Sequence, residues 1–116
     1  MQEIFEERTV EGFPLLALKG KIMGGPRTRK LCERIQEIVA AGAKHVILDF
    51  SNVRWINSTG IGELLNSVNR IRKQGGEVYF TALQERLAEY FELIKLNTVF
   101  KLYENQEQVL KALARG

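Results

Sequence analysis

The stretch that decides the fold runs from His45 to Ile71 and reads HVILDFSNVRWINSTGIGELLNSVNRI. Its first six residues form a short and almost continuous apolar run, which is typical of a central strand covered on both faces. Its second half repeats apolar residues at helical spacing, at Ile61, Leu64, Leu65, Val68 and Ile71. A buried strand followed by an amphipathic helix is the repeating unit of an α/β sheet.

The flanking sequence extends this alternation in both directions. Residues 4–10 and 13–18 are predicted strands, and the turn Glu11-Gly12 between them is too short for a parallel crossover. The pair is therefore expected to be antiparallel, with the polar first strand at an edge. Further helices are predicted around residues 31–39, 87–94 and 109–113, and further strands over residues 77–81 and 99–102. The sequence predicts an α/β fold with a mostly parallel central sheet, an antiparallel N-terminal edge strand and about four helices.

Two loops of this sheet are candidates for a functional site. Partners and ligands of open α/β sheets meet loops at the carboxyl ends of the strands. Residues 20–26 and residues 53–60 occupy such ends, and we expect the two loops to lie side by side if their strands are neighbours. A helix is expected to begin at Pro26, because proline tolerates the first helical position.

Length and composition indicate one globular domain, residues 1–116, with 45% hydrophobic and 27% charged residues. The net charge of +3 is too small, and too evenly spread, to favour nucleic acid as a partner. The first eight residues are acidic and alternating, unlike a signal peptide, and no apolar run approaches the roughly 20 residues of a membrane span. We therefore expect a cytoplasmic protein without membrane insertion.

Catalytic and metal-binding groupings are not evident in the sequence. Cys32 and His45 are the only residues of their types, so no disulfide or cysteine–histidine metal cage is expected. We expect Cys32 to be a partly buried hydrophobe and His45 to open a strand. Ser58 has no nearby His or Lys, and Asp49 has no second acid to work with, so it more naturally ties down a loop. We predict no catalytic residue, no cofactor and no metal.

The segment from Asn57 to Gly62 lies where the central strand passes into the second predicted helix. Asn57 and Ser58 are both residue types preferred as helix N-caps. Gly60 and Gly62 each cost about 1 kcal/mol in a helix relative to alanine, which suggests that some group approaches the backbone closely. A phosphate on Ser58 would lie at the positive end of the helix, where it is tolerated or stabilised.

Taken in order along the chain, these motifs resemble the STAS domain family, and in particular bacterial anti-sigma factor antagonists. The segments that carry the resemblance are Val46–Asp49, Asn57–Gly62, Gly75–Val78 and Leu93–Leu96, and they cover essentially the whole chain. The resemblance implies a STAS fold and a non-catalytic regulator of transcription that acts by partner switching.

The resemblance also implies a site. In free-standing members the serine of this motif is phosphorylated by a partner kinase that is itself an anti-sigma factor, and the unphosphorylated form binds that kinase and releases its sigma factor. The phosphoacceptor here would be Ser58, within the motif formed by Asn57, Thr59, Gly60 and Gly62. The implied partner is a serine kinase with a histidine-kinase-like ATPase fold, and a homodimer is a further option.

Two positions depart from the family pattern. Asn57 replaces the acid that usually precedes the serine, and Met23 replaces a common acid in the loop after the second strand. Three cations, Arg27, Arg29 and Lys30, instead crowd the start of the next helix. They are either a solvated basic face or a positive rim around Ser58 that receives a phosphate or an acidic partner surface. Without the acid at position 57, a constitutive, unphosphorylated binder is also an open hypothesis.

Partner contacts are expected, by resemblance, in both loops and on the exposed face of the second helix. The candidates are Met23, Arg27, Arg29, Trp55, Glu63, Asn66, Ser67, Asn69 and Arg70. Trp55 is either part of the core or an interface anchor. Two alternative roles on the same fold are a STAS subunit of a lipid-transporting ABC complex and a stressosome-type scaffold.

Overall fold

The computed structural model describes residues 3–115, so the predictions that involve Met1, Gln2 and Gly116 lie outside the described residues. Five strands, four α-helices and one short 3-10 helix follow one another within the described part. They are β1 (Phe5–Val10), β2 (Phe13–Ile22), α1 (Pro26–Ala40), β3 (His45–Ile56), α2 (Ser58–Lys73), β4 (Glu77–Thr81), α3 (Glu85–Leu93), the 3-10 helix (Leu96–Thr98), β5 (Lys101–Tyr103) and α4 (Gln106–Ala114). Between residues 3 and 115 no helix combines the length and apolar composition that crossing a bilayer requires.

The strands form one mixed sheet in the order β1-β2-β3-β4-β5. The β1–β2 pair is antiparallel and every other pair is parallel. Glu11 and Gly12 adopt positive φ angles of 50° and 86°, the conformation of a two-residue hairpin turn. The predicted fold class, the antiparallel first pair and the edge position of β1 are confirmed.

Both strands that lead to the candidate site run further than predicted. The second strand was expected to end at Leu18 and the central strand at Phe50, but β2 continues to Ile22 and β3 to Ile56. The register between them shifts twice along this extension. Each shift breaks the alternation of apolar and polar residues by which a strand is recognised in sequence.

The predicted loops are correspondingly too long. Instead of residues 20–26 and 53–60, only residues 23–25 and Asn57 lie between strand and helix. Because β2 and β3 are parallel neighbours, these two short connections leave the sheet at the same edge. Their expected proximity is confirmed.

The sheet is buried on both faces. One face packs against α1, α2 and α3 in the larger core, where Phe80 stacks between Phe50 and Phe100 with ring centroids 4.9 and 4.4 Å apart. On the opposite face α4 contributes Val109 to a smaller core with Leu15, Ile47 and Tyr79. The double coverage explains why residues 45–50 are apolar almost without interruption.

The start of α2 lies against the end of β2. The Asn57 N–H donates to the Ile22 carbonyl at 3.2 Å, and a Cβ added to Gly60 would lie 2.3 Å from the same oxygen. At Gly62 an added Cβ would meet nothing within 4 Å. The expectation that a group approaches both glycines is therefore correct at Gly60, where the group is the backbone of β2, and wrong at Gly62.

This difference gives a matched pair of substitutions. Gly60→Ala is expected to lower the free energy of unfolding by about 1–3 kcal/mol, because its methyl group overlaps the Ile22 carbonyl. Gly62→Ala is expected to raise it by about 0.5–1 kcal/mol through helix propensity alone. Urea unfolding followed by circular dichroism measures both. Equal effects of the same sign would contradict the close approach at Gly60.

Candidate functional site

The connection between β2 and α1 is docked on the first turns of α2. Gly24 and Gly25 have φ angles of 82° and 84°, and a Cβ on Gly24 would lie 2.4 Å from Thr59 Cγ2. The Gly24 N–H donates to Thr28 Oγ1 at 3.0 Å, and the Gly25 N–H donates to Glu63 Oε1 at 3.2 Å. The connection is thus fixed from both helices.

Ser58 is the first residue of α2 and is exposed. The N-cap is Asn57, whose side-chain oxygen accepts the Gly60 N–H at 2.8 Å. Asn57 therefore takes the capping role that the sequence left open between it and Ser58. None of the hydrogen bonds between residues 3 and 115 uses the Ser58 hydroxyl, which remains available to solvent.

The electrostatic setting of Ser58 favours an anion. The first backbone N–H groups of a helix point outward and carry partial positive charge. The first turn of α2 contains no acidic residue. A phosphate at this position would be stabilised by about 0.3–1 kcal/mol, so the helix need not unfold to carry it.

The three cations at the start of α1 do not share one location. Arg27 lines a cleft of about 780 Å³ beside the β2–α1 connection. Arg29 lines a different groove, of about 530 Å³, between α1 and α2, together with Arg70. Lys30 Nζ lies 3.4 Å from Glu3 Oε1. The predicted rim of three cations is therefore divided, with only Arg27 beside Met23 and Gly24.

Three of the five residues predicted as partner contacts on α2 are exposed, namely Asn66, Asn69 and Arg70. Met23, in the β2–α1 connection, is 46% exposed. Ser67 is only 8% exposed, so its prediction as a surface contact is wrong. It lies on the same side of the helix as Leu64 and Ile71, one turn away in each direction, which is the side that packs inward.

Glu63 has a positioning role that the sequence analysis missed. Its Oε1 holds the Gly25 N–H, while its Oε2 is buried and has no hydrogen-bond partner among the described residues. Glu63 is half-buried and lines the groove between α1 and α2. The Gly24-Gly25 pair before Pro26 was the available signal, because two glycines at a helix start indicate close packing of the backbone.

Trp55 is half-buried and bridges β3 and α3. Its ring lies 4.8 Å from the Tyr90 ring, and the Arg86 guanidinium lies 5.1 Å over its face. Of the two roles considered for Trp55, these contacts favour packing at the margin of the core.

The remaining candidate side chains make structural contacts or are partly buried. Asp49 Oδ1 accepts the Ser51 N–H at 2.9 Å, and its Oδ2 lies 3.6 Å from Arg8. His45 opens β3, and its Nδ1 lies 2.9 Å from the Tyr79 hydroxyl. Burial raises the pKa of the half-buried Cys32 thiol to about 11. Within residues 3–115 no three metal-ligating side chains cluster.

Similar proteins were found by sequence and by structure. BtrV of Bordetella bronchiseptica, a candidate anti-sigma factor antagonist, is 22% identical over 103 residues, which cover 89% of this chain and 88% of BtrV. A candidate anti-sigma factor antagonist from Thermotoga maritima has a solved structure with a TM-score of 0.81 and 17% identity, covering 93% of this chain and 92% of its own.

The anti-sigma factor antagonist SpoIIAA has been solved in two forms. Its unphosphorylated form superimposes with a TM-score of 0.69 at 15% identity, covering 97% of this chain and 98% of SpoIIAA. The phosphorylated form, from Bacillus, gives a TM-score of 0.67 at 14% identity, covering 94% and 98%. At these identities the likeness shows a shared fold.

The sequence pattern of the STAS domain family matches residues 5–109, from the first residue of β1 into α4. This range contains the whole sheet and both connections of the candidate site. The chain therefore belongs to the STAS domain family.

Proposed function

We propose that this protein is a non-catalytic anti-sigma factor antagonist that binds an anti-sigma factor serine kinase and is switched by phosphorylation of Ser58. The observation that carries the proposal is the state of the Ser58 hydroxyl, which is exposed at the first position of α2 and free of hydrogen bonds to residues 3–115. A kinase reaches such a hydroxyl without unfolding the helix.

The switch follows from charge and not from a change of fold. Unmodified Ser58 is a small neutral group between the docked β2–α1 connection and the exposed face of α2. Phosphorylation adds about 1.5–2 negative charges there. The helix end stabilises that charge, whereas a partner surface shaped for a neutral hydroxyl must desolvate it. The folded protein is retained and the interface is lost.

The similar proteins support the role without assigning it. SpoIIAA shares the fold and is known in phosphorylated and unphosphorylated forms. Asn57 takes the place of an acid in the family motif, and its side chain caps α2 through Gly60. Asn57 therefore keeps the helix start in place, and the positioning of Ser58 does not depend on a carboxylate.

The experiment that tests the proposal is phosphorylation by the native kinase. The kinase is first identified by co-purification, and the chain is then incubated with it and Mg-ATP and weighed by intact mass. We expect an increase of about 80 Da, one phosphate, in the wild type and in Thr59→Ala but not in Ser58→Ala. If the mass of the wild type does not increase, the phosphorylation switch is contradicted and a constitutive binder is the remaining hypothesis. Co-purification of a transport ATPase instead of a kinase would favour the ABC-subunit role.

The affinity for the kinase is expected to depend on Ser58 as well. Ser58→Asp is expected to weaken kinase binding at least tenfold, about 1.4 kcal/mol, while Ser58→Ala keeps affinity within about threefold. Calorimetric titration measures both, and circular dichroism verifies that the two variants are folded. Unchanged affinity of Ser58→Asp would show that the interface lies elsewhere.

A non-catalytic role also predicts an unreactive Cys32. Because burial raises its pKa to about 11, the thiolate fraction near pH 8 is small. Iodoacetamide is expected to modify the folded chain at least tenfold more slowly than the urea-unfolded chain. Equal rates, measured by mass spectrometry, would mark Cys32 as an accessible nucleophile.

A further inference from the structure

A basic cleft lies beside the β2–α1 connection. We define the basic cleft by the side chains of Lys19, Lys21, Met23, Arg27 and Arg54 that line it, in a volume of about 780 Å³. Gly24 lines the cleft as well and touches Thr59 at the start of α2. The basic cleft is therefore adjacent to the surface that presents Ser58.

A β-bulge positions Arg54, one of the cations of the basic cleft. Gly20 pairs with Val53, and the next residue of β2, Lys21, pairs with Trp55. Arg54 is consequently an extra residue of β3 without a partner on β2. Bulges of this kind re-aim side chains at the ends of sheets. The basic cleft thus collects cations from β2, from β3 and from the first turn of α1.

The charge of the basic cleft is largely uncompensated. Lys21, Arg27 and Arg54 are exposed and form no ion pair with any residue between 3 and 115. Lys19 lies 3.4 Å from Glu6. Among the described lining residues the only acid is Glu3, and it lies 3.4 Å from Lys30. Like charges gathered on a concave surface attract and steer an anionic partner.

We propose that the basic cleft receives an acidic segment of the partner protein, with glutamate or aspartate side chains opposite Lys21, Arg27 and Arg54. The identity of that partner rests on the proposed function. Met23 lines the same cleft, is 46% exposed and offers apolar contact. A peptide uses both kinds of contact, whereas a free phosphate uses only the cations.

The test uses octa-glutamate as a probe and needs no natural partner. Amide NMR shifts of the 116-residue chain are followed at about 20 mM salt, where screening is weak. We expect shifts concentrated at residues 19–28 and at Arg54. Lys21→Glu/Arg27→Glu should weaken binding at least tenfold, and high salt should abolish it.

A matched control variant distinguishes binding at the basic cleft from a general effect of the net charge. Lys73→Glu/Lys101→Glu reverses the same number of exposed charges at positions that do not line the basic cleft, and it should change affinity less than twofold. Equal weakening by both pairs, or shifts scattered over all basic residues, would overturn the proposal. Equally strong shifts with inorganic phosphate would indicate a site for small anions and would also overturn the proposal. Tighter binding of a single-stranded oligonucleotide would overturn it as well.

Failure here is distinguishable from failure of the proposed function. The peptide titration involves neither a kinase nor modification of Ser58. If the basic cleft ignores octa-glutamate while Ser58 is phosphorylated, only the cleft proposal fails. If the basic cleft binds the peptide but Ser58 is never modified, only the phosphorylation switch fails.

Discussion

The contact between the end of β2 and the start of α2 is the constraint on which the candidate site depends. The Ile22 carbonyl accepts the Asn57 N–H at 3.2 Å and occupies the space in which a side chain at Gly60 would lie. Only glycine lets the helix begin this close to the strand. With Asn57 bound to β2 and capping its own helix, the next residue, Ser58, is exposed to solvent.

The same crowding fixes the surroundings of Ser58. Gly24 lies on Thr59, and Gly25 is held by Glu63 from the next turn of α2. Because these contacts hold the two connections against the helix, we expect a new charge on this surface to change what the surface binds and not how the chain folds. The switch that we propose for Ser58 would act through such local electrostatics. Arg27 and Arg29 line two separate concavities near this surface.

Periodicity was sufficient to predict the element types, their order, the antiparallel edge and the two-sided burial of residues 45–50. It did not predict the ends of β2 and β3, because the register shifts between them interrupt the alternation on which such predictions rest. Periodicity also could not predict that Arg27, Arg29 and Lys30 lie apart. Successive helical residues point about 100° apart, and only the packing of the helix decides what each residue faces. The hydrogen bond from the Gly25 N–H to Glu63 was not predicted, because the two residues are 38 positions apart in the sequence.

The exposure of Ser58 could be inferred from a cap-forming sequence at a helix start, but the assignment of the cap to Asn57 required the structure. We propose that the first turn of α2 is the surface presented to another protein. Amide hydrogen exchange, measured with and without the co-purified partner, tests this proposal. We expect slowed exchange at residues 57–62 in the complex. Unchanged exchange there, with protection confined to α4 or the β1 edge, would contradict it.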